Sequence, residues 1–260
     1  MMDISKTSTQ AIAINYNPST EEIDSYAAFT RQFHKWVHSS SQDVVGLPKK
    51  YHVVSGLTDA FNQTYALYNK IGIFDGEYGY HKRVLPDHRI TTQLSEADCI
   101  IVSHPFSADG MCSHEKLAIA DTYNVPIFVD CAFFGICHDI NFDFSKYNNI
   151  HSVGFSLSKT FGTGLYRVGL LYTKDPYPAA QYIDWQYPLL SSARHHYGLI
   201  SKYTPDDMVK KYKSEQEAIC RNIGLKPSNT VIFGLDYSDR YNEFKRGDVN
   251  RICITRCFSS

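Results

Sequence analysis

The stretch Ser156-Leu157-Ser158-Lys159-Thr160-Phe161-Gly162-Thr163-Gly164-Leu165-Tyr166-Arg167-Val168-Gly169 puts a lysine directly behind a β-rich run, follows it with a glycine-rich loop, and supplies an arginine eight positions after the lysine. An amine and a guanidinium so placed reach one ligand from the same side. A lysine that acts as a nucleophile must be partly neutral, and a desolvated pocket with cationic neighbours lowers its pKa. Ser158 and Arg167 suit phosphate oxygens, while the glycines let backbone N–H groups approach closely. A surface lysine in a glycine-rich loop reads the same way locally, so other segments must decide.

Three more strand ends bear on it. In Val125-Pro126-Ile127-Phe128-Val129-Asp130-Cys131-Ala132-Phe133 a carboxylate closes an otherwise apolar run, at the strand edge where parallel α/β folds bind ligands. Asp130 is also a natural cap for a following helix. In His52-Val53-Val54-Ser55-Gly56-Leu57 a strand passes through Ser-Gly into a helix whose N-terminal N–H groups favour an anion, or Ser-Gly is ordinary capping. In Ile100-Ile101-Val102-Ser103-His104-Pro105 a histidine precedes proline at another strand end, free to bond a ligand or to satisfy turn backbone.

Outward from these, short β-rich runs alternate with helical ones from Tyr51 to Thr173: YHVV, DAFNQTYALYN, KIGIFDGEY, CIIVSHP, HEKLAIADTYN, VPIFVD, HSVGFSL and VGLLYT. Strands without a polar face imply a mainly parallel sheet covered on both sides by helices. Residues 20–39 read as an amphipathic helix with Ile23, Ala27, Phe33 and Trp36 on one face, Ser19 and Thr20 as caps, and Glu21 and Glu22 in the first turn. Residues 178–222 read as helical with a restart at Thr204-Pro205-Asp206, where Thr204 caps. Two last strands, TVIFGLDYS and RICITRCF, flank a turn-like NEFKRGD.

The segments and their order resemble the large domain of fold-type I pyridoxal-phosphate (PLP) enzymes, the aminotransferase class I/II superfamily, well over about residues 50–175 and more loosely in the tail. The resemblance implies PLP as cofactor and homodimer assembly. It makes Lys159 the Schiff-base lysine and Asp130 the acid facing the pyridine nitrogen. Ser55, Gly56, Ser158 and Arg167 become phosphate-binding residues, and Leu57 and Ser156 join them as cofactor-binding residues. Arg251, in Asn250-Arg251-Ile252-Cys253-Ile254-Thr255, looks like the arginine that grips the substrate α-carboxylate, a bidentate task suited to guanidinium. A solvated edge arginine is the alternative. Arg256, five residues on, falls on the opposite face of a continued strand. The family's ring-stacking aromatic falls on Tyr78, with Tyr80 second and a plain core tyrosine as the alternative.

Two positions depart from the family pattern. His104-Pro105 stands where Asn-Pro is usual, and Phe133 stands where tyrosine is usual; both normally bond the cofactor's phenolic oxygen. Loss of the tyrosine hydroxyl raises the imine pKa unless His104 compensates. The chain is short for the family, and Asn15-Tyr16-Asn17-Pro18 resembles its entrance segment.

Composition limits the alternatives. With 260 residues, 43% hydrophobic, a formal charge of −1 and 11 His, the chain has globular composition and lacks a basic footprint for nucleic acid. No apolar run approaches the ~20 residues of a membrane span, and the N-terminus has no signal-type apolar core, so a cytoplasmic protein is expected. Seven Cys scattered through apolar segments read as reduced, buried thiols, and neither Cys131, Cys137 and His138 nor Cys253 and Cys257 have zinc-site spacing, so no metal is expected. Arg194-His195-His196-Tyr197 reads either as reaching a partner's site or as a solvated helix face.

The expected organisation is an N-terminal arm and helix (1–48), a PLP-binding large domain (49–178), and connecting helices with a reduced small domain (179–260). The expected activity is transamination of a small amino acid or amino-acid-like metabolite. The alternatives are another PLP reaction (elimination, decarboxylation or cyclisation) and a catalytically silent binding protein that keeps the fold.

Overall fold

The computed structural model describes residues 26–175, 177 and 189–258. The expected caps Ser19 and Thr20, the first-turn Glu21 and Glu22, Ile23, the stretch 15–18 and the helical expectation over 178–188 lie outside them. In chain order the regular elements begin with α1 (Tyr26–His38), β1 (Val44–Val45), β2 (Lys50–Val54), α2 (Leu57–Leu67), β3 (Ile71–Ile73), α3 (Tyr80–Val84) and β4 (Ile90–Thr91). They continue with β5 (Cys99–Ser103), α4 (His114–Asp121), β6 (Ile127–Cys131), β7 (Phe142–Asp143), β8 (Ile150–Ser156) and β9 (Gly169–Thr173). The C-terminal part holds α5 (Leu190–Lys202), α6 (Asp207–Ile223), β10 (Lys226–Pro227), β11 (Phe233–Asp236), β12 (Lys245–Arg246) and β13 (Val249–Cys253).

The large sheet has seven strands in the order β2-β9-β8-β6-β5-β3-β4. The run from β8 through β6, β5 and β3 to β4 is parallel, and β9 is antiparallel to both its neighbours. Period-two alternation sends Val53, Ile100, Val102, Val129, Val153 and Leu170 into one core. Their neighbours Val54, Ile101, Phe128 and Leu171 enter a second core on the opposite face. Both faces are therefore apolar, which is why the strands read as continuous hydrophobic runs. Phe29, Phe33, Trp36 and Val37 of α1 close the first core, and Trp36 Nε1 donates to the Tyr203 carbonyl at 2.9 Å.

The smaller sheet is antiparallel, in the order β10-β11-β13-β12, with α6 packed on it. The turn-like NEFKRGD contains β12, which makes a hairpin with β13 through Gly247 at φ 58°. α6 starts later than Thr204 suggests: its cap is Asp206, because the Asp207 carboxylate turns back to accept the Thr204 N–H at 2.7 Å. β13 ends at Cys253, so the expected last strand is cut short and Arg256 sits exposed in a 3-10 turn. Cys99, Cys131, Cys137 and Cys220 are buried free thiols, whereas Cys112 is exposed, on the loop entering α4.

Candidate active site

The parallel strands end along one edge, and the register there brings distant residues into line. Val54 pairs with Gly169 and Ser156 pairs with Gly169 from the other side, so the Ser55-Gly56 turn, the 156–159 segment and Arg167 converge. Gly56 has φ 73°, and a Cβ on it would lie 3.3 Å from Arg167 Nε. The guanidinium arm therefore lies across the entrance to α2, whose cap makes no side-chain bond and whose Asp59 N–H donates to the Gly56 carbonyl at 3.2 Å, leaving the Leu57 and Thr58 N–H groups of the first turn facing the edge. Leu57, the first helical residue, points into the core against Gly154 and Gly169, leaving only its backbone at the edge. The Ser158 N–H donates to Ser156 Oγ at 3.3 Å, while buried Ser158 Oγ has no hydrogen-bond partner among the described residues. An orphaned hydroxyl beside a helix N-terminus and a guanidinium suits a bound anion.

One strand over, Asp130 is buried at the end of β6, opposite Ser103 in the parallel register, and accepts the Ala132 N–H at 2.9 Å. A second carboxylate, Glu77, accepts the Ser103 N–H at 2.9 Å, the Tyr78 N–H at 2.8 Å and the Ser103 hydroxyl. Burial, followed by the charge of Glu77, pushes the Asp130 carboxyl up to about 7. Burial raises Glu77 as well, against those three hydrogen bonds. Two carboxyls thus share one desolvated corner, so a proton or a cationic group is held strongly there.

The cations face this corner. Lys159 is pulled below the ordinary lysine range by burial first and by the charge of Arg251 second, with Arg167 adding to the effect and Asp130 opposing it. Arg251 on β13 is buried, with its guanidinium 4.3 Å above the Phe233 ring and donating to the Ser107 carbonyl. Burial, with Arg246 behind it, holds Arg251 down at about 9. Tyr78 is half-buried and stacks with Tyr80 at 6.0 Å and 17°. Its pKa is raised by burial and then by Asp130 and lowered by Arg167, which places the ring within the field of both ends of the site. The Tyr80 hydroxyl instead bonds Asn62 at 3.1 Å.

No protein-family profile and no curated relative matches the sequence. The fold does match solved structures. An aminotransferase from Mycobacterium tuberculosis superimposes with TM-score 0.66 at 13% identity over 89% of this chain and 78% of its own. Histidinol-phosphate aminotransferase from Sinorhizobium meliloti, in complex with pyridoxal 5′-phosphate, gives 0.64 at 14% over 87% and 76%. L-threonine-O-3-phosphate decarboxylase from Porphyromonas gingivalis gives 0.62 at 15% over 87% and 84%. This chain has the aminotransferase fold.

Within the aminotransferase fold one expected position, His104, needs correction. His104 does not reach the site: its Nδ1 pairs with Ser113 at 2.8 Å, its Nε2 with the Asn141 carbonyl at 2.8 Å, and its ring packs edge-on against Phe142 and Phe144. Burial pushes it down to about 3, so it is a neutral core histidine that satisfies loop backbone. It also stands with Cys112 and His114 so that their ligand atoms lie within 4.8 Å of one another, although His114 too is held by the Asn141 carbonyl. Phe133 is buried against Phe233 at 5.2 Å, in the cluster that ties the two sheets together. His104 is thus not free to compensate for the hydroxyl that Phe133 lacks.

Two charged residues beside the site were not singled out from the sequence. Glu77 had a signal in its position just past the apolar run at the end of β3. Arg246 had one only in the hairpin register, where it opposes Val249 and so shares a sheet face with Arg251.

Proposed function

We propose that this chain is a PLP-dependent aminotransferase acting on a small amino acid or amino-acid-like metabolite. The convergence of Lys159, Asp130 and Arg167 at one sheet edge is the observation that carries the reading. The residues suit the cofactor at both ends. Ser158 with its orphaned hydroxyl, Ser156, the Ser55-Gly56-Leu57 turn and Arg167 would hold the phosphate, and the Asp130 corner would hold a protonated ring nitrogen. Tyr78 is placed to cover the ring.

Bound PLP supplies an electron sink for negative charge at the amino acid's Cα. Asp130 keeps the proton on the ring nitrogen. Lys159, neutral for more of the time because it is desolvated beside Arg251, is the nucleophilic amine of the resting site and afterwards carries the proton to and from Cα. Arg251 orients the α-carboxylate, and Phe133 seals the pocket against water. The working unit is a homodimer, a reading supported by Leu165, 96% exposed on the loop between Lys159 and Arg167. Among the described residues no helix is long and apolar enough to cross a membrane, and we place the protein in the cytoplasm.

A second reading, decarboxylation or elimination with the same cofactor, is favoured by the lack of a donor at Phe133 and His104. Absorbance tests both. PLP added to the protein gives a near-visible band that Lys159→Ala abolishes, and amino acids then convert it to a pyridoxamine-type spectrum with release of keto acid. Release of ammonia or carbon dioxide instead selects the second reading, and a protein that forms no such band overturns both.

A further inference from the structure

The histidine that turns away from the cofactor site belongs to a second constellation. His104 lies just past β5, Cys112 on the exposed loop entering α4, and His114 at the first position of α4. The loop between them folds back on itself, the Phe106 N–H donating to the Met111 carbonyl at 2.8 Å and the Gly110 N–H to the Phe106 carbonyl at 2.7 Å. That turn brings one ring nitrogen of each histidine and the Cys112 thiol within 4.8 Å of one another.

The two imidazoles aim at one point. His104 Nε2 lies 2.8 Å and His114 Nε2 2.7 Å from the same Asn141 carbonyl oxygen, with the ring centroids 4.7 Å apart. A carbonyl only accepts, so as the rings stand both Nε2 atoms carry their protons. The opposite ring nitrogens face oxygens that can accept a proton's hydrogen bond. Ser113 Oγ is 2.8 Å from His104 Nδ1 and donates its own proton to the Ser103 carbonyl at 2.8 Å. The Tyr147 hydroxyl is 2.8 Å from His114 Nδ1 and donates to the His114 carbonyl at 3.1 Å. Each histidine can therefore carry its proton on Nδ1, forfeiting at that end only the long 3.3 Å approach of the Ser113 N–H to His104. Both Nε2 lone pairs are then turned on the Asn141 oxygen. Metal-ligating histidines are held in this way, the second ring nitrogen donating to an oxygen behind it.

We propose that His104 Nε2, His114 Nε2, the Cys112 thiolate and the Asn141 carbonyl hold one zinc-class divalent cation. Imidazole with thiolate selects that class, and four protein donors make a closed, structural set. Zn–N bonds near 2.0 Å and a Zn–S bond near 2.3 Å set tetrahedral ligand atoms roughly 3.3–3.7 Å apart, so the cluster contracts by about 1 Å, a movement the exposed Cys112 loop can supply. On binding, each histidine moves its proton from Nε2 to Nδ1 without net loss, and the thiol releases one proton to solvent. The charges that act on His114, from Lys146 and Asp143, are opposite in sign, and the thiolate adds a negative one. The cation would clamp the loop before α4 to the loop after β6. It lies behind the cofactor site, because the His104 N–H donates to the Asp130 carbonyl at 2.8 Å.

The test takes the tag-free full chain, strips it with a chelator, and titrates it with CoCl2 and then ZnCl2. One equivalent of cobalt is expected to give the visible bands of a tetrahedral site and a near-ultraviolet sulfur-to-cobalt charge-transfer band, which zinc then removes. Cys112→Ser, at an exposed position, is expected to abolish the charge-transfer band and weaken zinc binding at least about 10-fold. Tyr147→Phe is expected to keep the band and weaken zinc binding about 10-fold, as loss of the oxygen behind His114 requires. Zinc is also expected to raise the urea midpoint of the wild type. A wild type that shows only the faint spectrum of six-coordinate cobalt, a charge-transfer band that survives Cys112→Ser, or a midpoint that zinc does not move overturns the proposal. None of these readouts depends on PLP.

Discussion

The carboxyl of Asp130 should leave a measurable trace in the stability of the cofactor-free protein. Burial and Glu77 raise it to about 7 in the folded chain, against roughly 3.9 in the unfolded one. The folded state therefore holds this proton more tightly. Its stabilising contribution is complete below about pH 4 and is lost as the pH rises through about 7. About three pKa units at 1.36 kcal/mol each give a total near 4 kcal/mol, of which about 3 kcal/mol is lost between about pH 5 and about pH 8.5. Asp130→Asn removes the titration and keeps an acceptor for the Ala132 N–H, now at 2.9 Å. Urea unfolding of both proteins at the two pH values is the assay. Wild type should weaken by about 3 kcal/mol relative to the variant as the pH rises, a difference from which the titrating groups not coupled to Asp130 cancel. A stability difference that stays the same at both pH values refutes the reasoning. Saturating PLP should flatten the wild-type slope, since a cationic ring nitrogen beside Asp130 favours its ionised form.

Two further substitutions separate structural from ligand-binding roles. Ser158→Ala deletes a buried hydroxyl that has no partner among the described residues, so urea unfolding should show the cofactor-free protein unchanged or about 1 kcal/mol more stable, while fluorescence titration shows PLP affinity falling about 10-fold. Arg251→Gln removes a charge that depresses Lys159, so the pH at which half the protein forms the near-visible band should move upward; a midpoint that does not move separates the two residues.

Much of the site was legible because buried parallel strands have no polar face, so a polar residue closing an apolar run stands out. Asp130, Lys159 and the Ser55-Gly56 turn all announce themselves this way, and the fold lines them up at one edge. His104 has the same local signature, yet its ring is turned to Ser113 and Asn141, nine and 37 residues away. The difference lies in which neighbour offers a hydrogen bond, and that is a property of the assembled loops. Glu77 and Arg246 were hidden for related reasons. The burial of Glu77 depends on Ser103, 26 residues on, and the direction of Arg246 depends on a hairpin register that the stretch NEFKRGD leaves open between turn and strand. Alternation along a strand locates chemistry on an edge, but the aim of each side chain is set by its partners across the fold. It follows that side chains drawn from loops and hairpins around that edge are those a single sequence reveals last.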